Sequence, residues 1–344
     1  NLNSYRNYLK NNQKICFVAK ANCYGFGFKV CKFFNDKVDY FAVSSAYEFF
    51  KLKEFVSKPI MILDPIYDKK TLKKLIKNSC ELTVSNFESY EKLVQISKHL
   101  NEKIYIHIAL NTGMNRFGFK SSSEILKMLS LHKKTQNIVI KGVFSHYFLA
   151  KNQKIDIFQQ NKFNYFFNIL SKNLSQKPIV SMCASEGTRF APFGDMVRIG
   201  YGLYDDLTFD TVTLKSKILE FQVLNRGETA GYDGIFVAKK LTKLAVVGIG
   251  YGDGLMRSIT KKGYVLVSGK PAKIVAICMD CLLIDVSKIT CNIDDDVIII
   301  GKSGENKISI CDIAGWCDTI GYEIIVRLSD RIKRKFVGEL KCKS

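Results

Sequence analysis

The chain has 344 residues, 47% of them hydrophobic, which is enough to bury a large core in two domains or in one barrel with an appendage. Its formal charge of +20 comes from 52 basic residues against 32 acidic ones, dispersed rather than clustered, so a phosphate-tracking nucleic-acid groove is not expected. No apolar run nears the roughly 20 residues that span a bilayer, no signal-peptide pattern opens the chain, and the 11 scattered cysteines lack a disulfide framework, which points to a reducing cytoplasm.

From the start to about residue 205, eight short apolar runs alternate with stretches of helical period. They are Ile15 to Lys20, Tyr40 to Ser44, Ile60 to Leu63, Glu81 to Val84, Ile104 to Leu110, Val139 to His146, Ile179 to Ala184 and Met196 to Gly200. Near-continuous apolar strands are those covered on both faces, and eight of them with crossover helices predict a (β/α)8 TIM barrel. Ser121-Ser-Ser-Glu124 reads as a capping box, and the aromatics Phe158, Phe163, Phe166 and Phe167 read as helix packing. After residue 208 the strands Leu214 to Val223, Lys243 to Gly248, Tyr264 to Val267, Ala272 to Ile277, Leu282 to Val286 and Val297 to Gly301 follow without long helices. Ser309 to Cys317 predicts one helix and Glu323 to Val326 a last strand, so the expected domains are a barrel over 1–208 and a mainly β domain over 209–344. Arg331 to Lys335 reads as a solvated basic face, and the opening Asn1 is taken to mean that residues precede it.

Lys20 closes the first apolar run and faces the glycine-rich turn Cys23-Tyr-Gly-Phe-Gly27. An ammonium there loses hydration, which favours the neutral amine and suits it to Schiff-base chemistry with an aldehyde. In a barrel the working groups sit at the C-terminal strand ends, and five of those ends carry reactive side chains: Lys20, Arg116, His146, Ser185 and Arg198. Cys278-Met-Asp-Cys281 is a CxxC without a well-spaced second half in Cys311 and Cys317, so no metal is expected.

Over nearly its whole length the sequence resembles alanine racemase. The motifs that carry this are Val18-Ala-Lys-Ala-Asn-Cys-Tyr-Gly-Phe-Gly27, Asn111-Thr-Gly-Met-Asn-Arg-Phe-Gly118, Ser145-His146, Asp195 to Tyr204, Ala230-Gly-Tyr-Asp-Gly-Ile-Phe236, Ile249-Gly-Tyr-Gly-Asp-Gly254 and Ile277-Cys-Met-Asp280. The resemblance implies pyridoxal 5′-phosphate bound covalently by Lys20, which also serves as acid and base on one face of the α-carbon. It implies Arg198 against the pyridine nitrogen, His146 orienting Arg198, and Arg116 on the cofactor's phenolic oxygen and the substrate carboxylate. Tyr24, Ser185 and the amides of Gly200 and Tyr201 are implied to hold the phosphate. Tyr232 is the implied second base, Met279 the amide for the substrate carboxylate and Tyr251 the entrance residue, all three reaching the partner's cofactor in a head-to-tail homodimer. The implied reaction interconverts L- and D-alanine for cell-wall peptidoglycan.

Four positions depart from the family pattern. Ala109 stands where a carbamylated lysine is frequent, Ala184 and Ser181 replace the usual Asn and His, and Asp330 occupies a common tyrosine position, expected to turn toward Arg327 or Arg331. These departures keep two alternatives open: a broad-specificity amino-acid racemase on the same scaffold, and a non-catalytic pyridoxal-phosphate carrier protein.

Overall fold

The computed structural model describes residues 1–10, 12–150, 152–190, 192–204 and 211–337. They fall into two compact units, Asn1–Cys23 with Gly27–Leu203, and Tyr24–Phe26 with Tyr204–Ser344. The boundary expected at 208 lies outside the described residues.

The first unit is a (β/α)8 barrel. Its strands are β1 (Lys14–Val18), β2 (Tyr40–Val43), β3 (Ile60–Ile62), β4 (Glu81–Val84), β5 (Ile104–Ala109), β6 (Ile138–Phe144), β7 (Ile179–Ser181) and β8 (Met196–Ile199). Their order is β7-β6-β5-β4-β3-β2-β1-β8, with every named pairing parallel. The Arg198 amide donates to the Cys183 carbonyl at 2.9 Å and so ties the two ends of the sheet together. β2, β3, β4 and β8 are buried at every residue, as strands covered on both faces must be.

The barrel interior is packed by Cys16, Val18, Tyr40, Ala42, Met61, Ala109, Phe144 and Met196. One polar pair breaks that apolar fill: His107 Nε2 and Glu81 Oε2 lie 2.5 Å apart, both buried. Gly142 makes room for it, because a Cβ at that position would stand 2.2 Å from His107 Nδ1.

The helices begin where the caps place them. Ser45 starts Ala46–Lys53 with a full capping box, and Asn152 starts Gln153–Ser171. Ser121 caps Ser122–His132, but the Glu124 carboxylate accepts from the Phe87 amide at 2.9 Å. Phe163 and Phe166 are buried as expected, whereas Phe158 is 60% exposed because its position faces away from the sheet.

The second unit is antiparallel. Its strands are β9 (Leu214–Leu224), β10 (Thr229–Ala230), β11 (Phe236–Val237), β12 (Thr242–Val247), β13 (Tyr264–Val267), β14 (Lys270–Ile277), β15 (Leu282–Asp285), β16 (Asp296–Ser303) and β17 (Asn306–Ile308). β10 and β11 pair alone, and the others run β13-β14-β15-β12-β9-β16-β17 with β13 also pairing β16, so this sheet folds back on itself. Ser309 caps the helix Ile310–Cys317.

The strand expected at Glu323–Val326 is instead the helix Gly321–Val326. The β-branched run suggested a strand, but helical winding buries Ile324 and Ile325 and lets Glu323 pair with Arg327 at i,i+4, 3.6 Å. The basic run after it is largely solvated, with Arg331, Lys333 and Lys335 exposed and Arg334 half-buried. Arg334 donates to the carbonyls of Gly25, Leu328, Ser329 and Ile332, and Arg331 reaches Asp280 at 2.7 Å.

Candidate active site

Lys20 lies two residues beyond β1, at the start of a turn in which Ala21, Asn22, Cys23 and Tyr24 all have φ between 51° and 54°. Left-handed backbone costs a residue with a Cβ roughly 1–2 kcal/mol, so four in succession need outside support. The Cys23 amide donates to Ala19 O at 2.9 Å, Gly27 to Asn22 O at 2.8 Å, and the Ala21 amide to Glu48 Oε1 at 2.7 Å. Beneath the turn the buried Cys23 and Cys31 sulfurs are 3.1 Å apart. Burial pulls the Lys20 amine below its ordinary value; Arg116 and Arg198 add to this, while Asp64 and Glu48 oppose it. A depressed amine pKa suits the lysine to attack an aldehyde near neutral pH.

Arg198 projects from β8 and is buried. Its NH1 donates to Ser181 Oγ at 2.6 Å and its NH2 to Ser145 O at 2.7 Å, while His146 Nδ1 is farther at 3.4 Å. His146 therefore touches Arg198, as the motif implied, but the short bonds come from Ser181 and a carbonyl. Desolvation pulls Arg198 down to about 10, which still leaves it cationic at neutral pH. Desolvation, with the charges of Arg198, Arg116 and Lys20, drives His146 down to about 3, so its imidazole is neutral and an acceptor.

A polar network that sequence reasoning missed holds these groups. Gln159, fully buried on the helix Gln153–Ser171, donates to Thr112 Oγ1 at 2.9 Å and to His146 O at 3.0 Å. Thr112 Oγ1 meets Ser145 Oγ at 2.8 Å, and Ser145 Oγ donates to Leu110 O at 2.7 Å. The ends of β5 and β6 are thereby locked to the residue whose carbonyl receives Arg198.

Arg116 sits on the loop after β5, which closes on itself through Asn111 N to Phe119 O (3.0 Å) and Phe119 N to Ala109 O (2.9 Å). Its guanidinium lies 4.9 Å from the Phe117 ring centroid. Ala109 leaves a cavity of about 20 Å³ between it, Asn111, Arg116 and His146, room for one water-sized group. Asn111 Oδ1 accepts from the Gly113 and Asn115 amides, which fixes the side chain and leaves its buried Nδ2 donor unpaired.

Ser185 begins the short helix Ser185–Phe190, and its Oγ accepts from the Gly200 and Gly202 amides, each at 3.2 Å. Gly202 is needed there, because a Cβ would fall 1.9 Å from the Tyr5 hydroxyl and 2.8 Å from Ser185 Cβ. Tyr201 begins the turn Tyr201–Leu203 between them. The barrel thus gathers a depressed amine, two guanidinium groups, an unpaired amide donor and a hydroxyl-and-amide cradle, a donor set that fits an anionic aldehyde carrying a phosphate.

In the second unit, Tyr251 and Met279 lie on loops bonded to each other through Tyr251 N to Cys278 O (3.1 Å) and Gly252 N to Met279 O (2.8 Å). Tyr232 and Met279 are 54% and 50% exposed. Tyr251 lies close enough to Tyr232 to raise its phenol, with Cys278, Cys281 and Asp280 adding smaller contributions. Tyr232 also lines a pocket with Arg257 and Lys261. Tyr24 is buried, with its ring 6.2 Å from Tyr204 and 6.3 Å from Tyr322. Asp330 reaches Arg334 at 3.6 Å, while Arg327 pairs with Glu323 and Arg331 with Asp253 and Asp280.

Residues 1–207 match the family model of the alanine racemase N-terminal domain, and residues 211–336 match that of the C-terminal domain. An alanine racemase of Francisella tularensis is 32% identical over 356 residues, covering 98% of this chain and 96% of that protein. The crystal structure of alanine racemase from Bacillus anthracis with bound L-Ala-P superimposes with a TM-score of 0.89 at 25% identity, over 96% of this chain and 90% of that one. One from Bartonella henselae with covalently bound pyridoxal phosphate shares the fold, with a TM-score of 0.84 at 22% identity over 97% and 95% of the two chains. Fold, strand-end chemistry and two family models that together cover nearly the whole chain agree: this protein belongs to the alanine racemase family.

Proposed function

We propose that this protein is a pyridoxal 5′-phosphate-dependent racemase that interconverts L- and D-alanine, working as a homodimer with composite sites. The observation that carries this reading is the convergence of Lys20, Arg116, His146 and Arg198 on one barrel rim, each electrostatically sensed by Lys20 or His146. Relatives bearing the same name and a solved homologue with bound L-Ala-P support alanine as the substrate.

When bound, the cofactor supplies an electron sink that makes the α-hydrogen of an amino acid acidic. Lys20, with its lowered amine pKa, would hold the cofactor through its aldehyde and, as a free amine, would take or give the proton on one face of the α-carbon. The partner subunit's Tyr232 moves it on the other face. In the single chain its phenol is pushed up, first by Tyr251, so acting as a base would call on the cations of the partner's barrel. Arg198, which stays cationic, would hold the ring nitrogen as a hydrogen-bond donor and, keeping its own proton, would leave that nitrogen unprotonated. His146 accepts from Arg198, Arg116 binds carboxylate as a planar fork, and the Met279 amide of the partner binds it from the other side. Ser185 with the Gly200 and Tyr201 amides, and Tyr24, hold the phosphate.

Borohydride reduction of the protein loaded with pyridoxal phosphate, followed by peptide mapping, tests the reading: the tag is expected on Lys20, and a tag elsewhere refutes it. Tyr232→Phe should retain the tag but lose α-hydrogen exchange from L-alanine. Turnover of serine, lysine and arginine beside alanine reads the effect of Ala109 and Asp330, and cationic substrates turned over as fast as alanine would favour the broad-specificity alternative.

A further inference from the structure

The left-handed turn that presents Lys20 is supported from a distant helix by Glu48, a residue the Lys20 motif does not contain. Glu48 is the third residue of the helix Ala46–Lys53, where its ordinary task is the capping box: Ser45 N donates to Oε2 at 3.1 Å and Glu48 N to Ser45 Oγ at 3.2 Å. Its carboxylate does more than that box requires. Oε2 also receives the Ser44 amide at 2.8 Å, and Oε1 receives the amide of Ala21, the residue next to Lys20, at 2.7 Å.

We propose that Glu48 is the positioning residue of the catalytic lysine: by bonding Ala21 with one oxygen and the end of β2 with the other, it fixes the left-handed turn against the barrel rim. The proposal rests on Lys20 being the cofactor lysine. Four backbone residues with Cβ atoms prefer another conformation, so the turn holds only where its amides have fixed acceptors. A carboxylate that accepts three amide protons is held by all three and cannot rotate away, unlike a single-bonded surface glutamate. The same negative charge stands near the Lys20 amine, where it and Asp64 oppose burial, Arg116 and Arg198.

The test uses the cofactor-free protein, so that it reads the turn itself. Amide hydrogen exchange of the peptide containing Ala21 to Tyr24 is compared in wild type, Glu48→Ala, Glu48→Asp and Ser45→Ala. Glu48→Ala should speed exchange there at least ten-fold. Glu48→Asp keeps the charge but is one methylene too short to span both elements, so it should do the same and serves if the alanine variant fails to fold. Ser45→Ala removes the helix cap alone and should leave the Ala21 peptide unchanged. A second readout is the pH midpoint of Lys20 acylation, mapped by mass spectrometry, which should fall in Glu48→Ala and stay in place in Ser45→Ala. Unchanged exchange at Ala21–Tyr24 in both Glu48 variants, or an equal change in Ser45→Ala, overturns the proposal. Borohydride mapping of the loaded wild type separately reports whether Lys20 is the cofactor lysine.

Discussion

Acid should destabilise the barrel through His146. Desolvation and the charges of Arg198, Arg116 and Lys20 drive its half-buried ring down to about 3, while in the unfolded chain it titrates near the ordinary value of about 6.5. As pH falls below about 6.5 the unfolded chain takes up a proton that the folded one refuses, so stability is constant above that point and is lost progressively down to about pH 3. At about 1.36 kcal/mol per unit, the whole window is worth up to about 5 kcal/mol, and the step from pH 7 to pH 5 about 2 kcal/mol. His146→Gln cannot protonate and removes this pH-dependent part, whatever fixed cost it adds by losing the contact to Arg198. Urea unfolding of the cofactor-free protein should be followed by circular dichroism, because the single tryptophan, Trp316, belongs to the second unit and would not report the barrel. Wild type should lose about 2 kcal/mol more than His146→Gln between pH 7 and pH 5. Equal losses would mean that the imidazole is hydrated or that a nearby anion stabilises its charged form.

Two packing variants test the frame beneath the site. Ser181→Ala removes the 2.6 Å acceptor of a buried guanidinium and should cost about 1.5–3 kcal/mol in the same unfolding assay, with Ser181→Thr restoring most of it; no loss would show that water replaces the hydroxyl. Gly142→Ala puts a methyl 2.2 Å from His107 Nδ1, so thermal unfolding should shift downward by the equivalent of about 1–3 kcal/mol, and an unchanged midpoint would contradict the packing of the Glu81–His107 pair.

Residues that act through their immediate neighbours were readable in the chain. The apolar runs before Lys20 and His146, the serine that caps Ser122–His132, and the Asn111–Gly118 loop all state their business within a few positions. The helix at Gly321–Val326 was misread because a run of β-branched side chains has a strand preference that burial of one helical face overrides. Ser181 stands out in the sequence only as a departure from a pattern, yet its hydroxyl receives the Arg198 guanidinium at 2.6 Å. Gln159 and Glu48 gave no local signal at all: one is a polar residue in an amphipathic helix, the other half of a capping box, and each also bonds a partner more than ten residues away.

What the order of residues determined alone is the alternation of strand and helix, the place of each strand end, and the reactive side chains carried there, because hydrophobic period and capping act over one to four positions. What only the tertiary structure decided is which groups hold those side chains still. The left-handed Lys20 turn, the neutral His146 ring and the Gln159–Thr112–Ser145 chain under Arg198 exist because barrel closure brings residues tens of positions apart within hydrogen-bond reach and away from water.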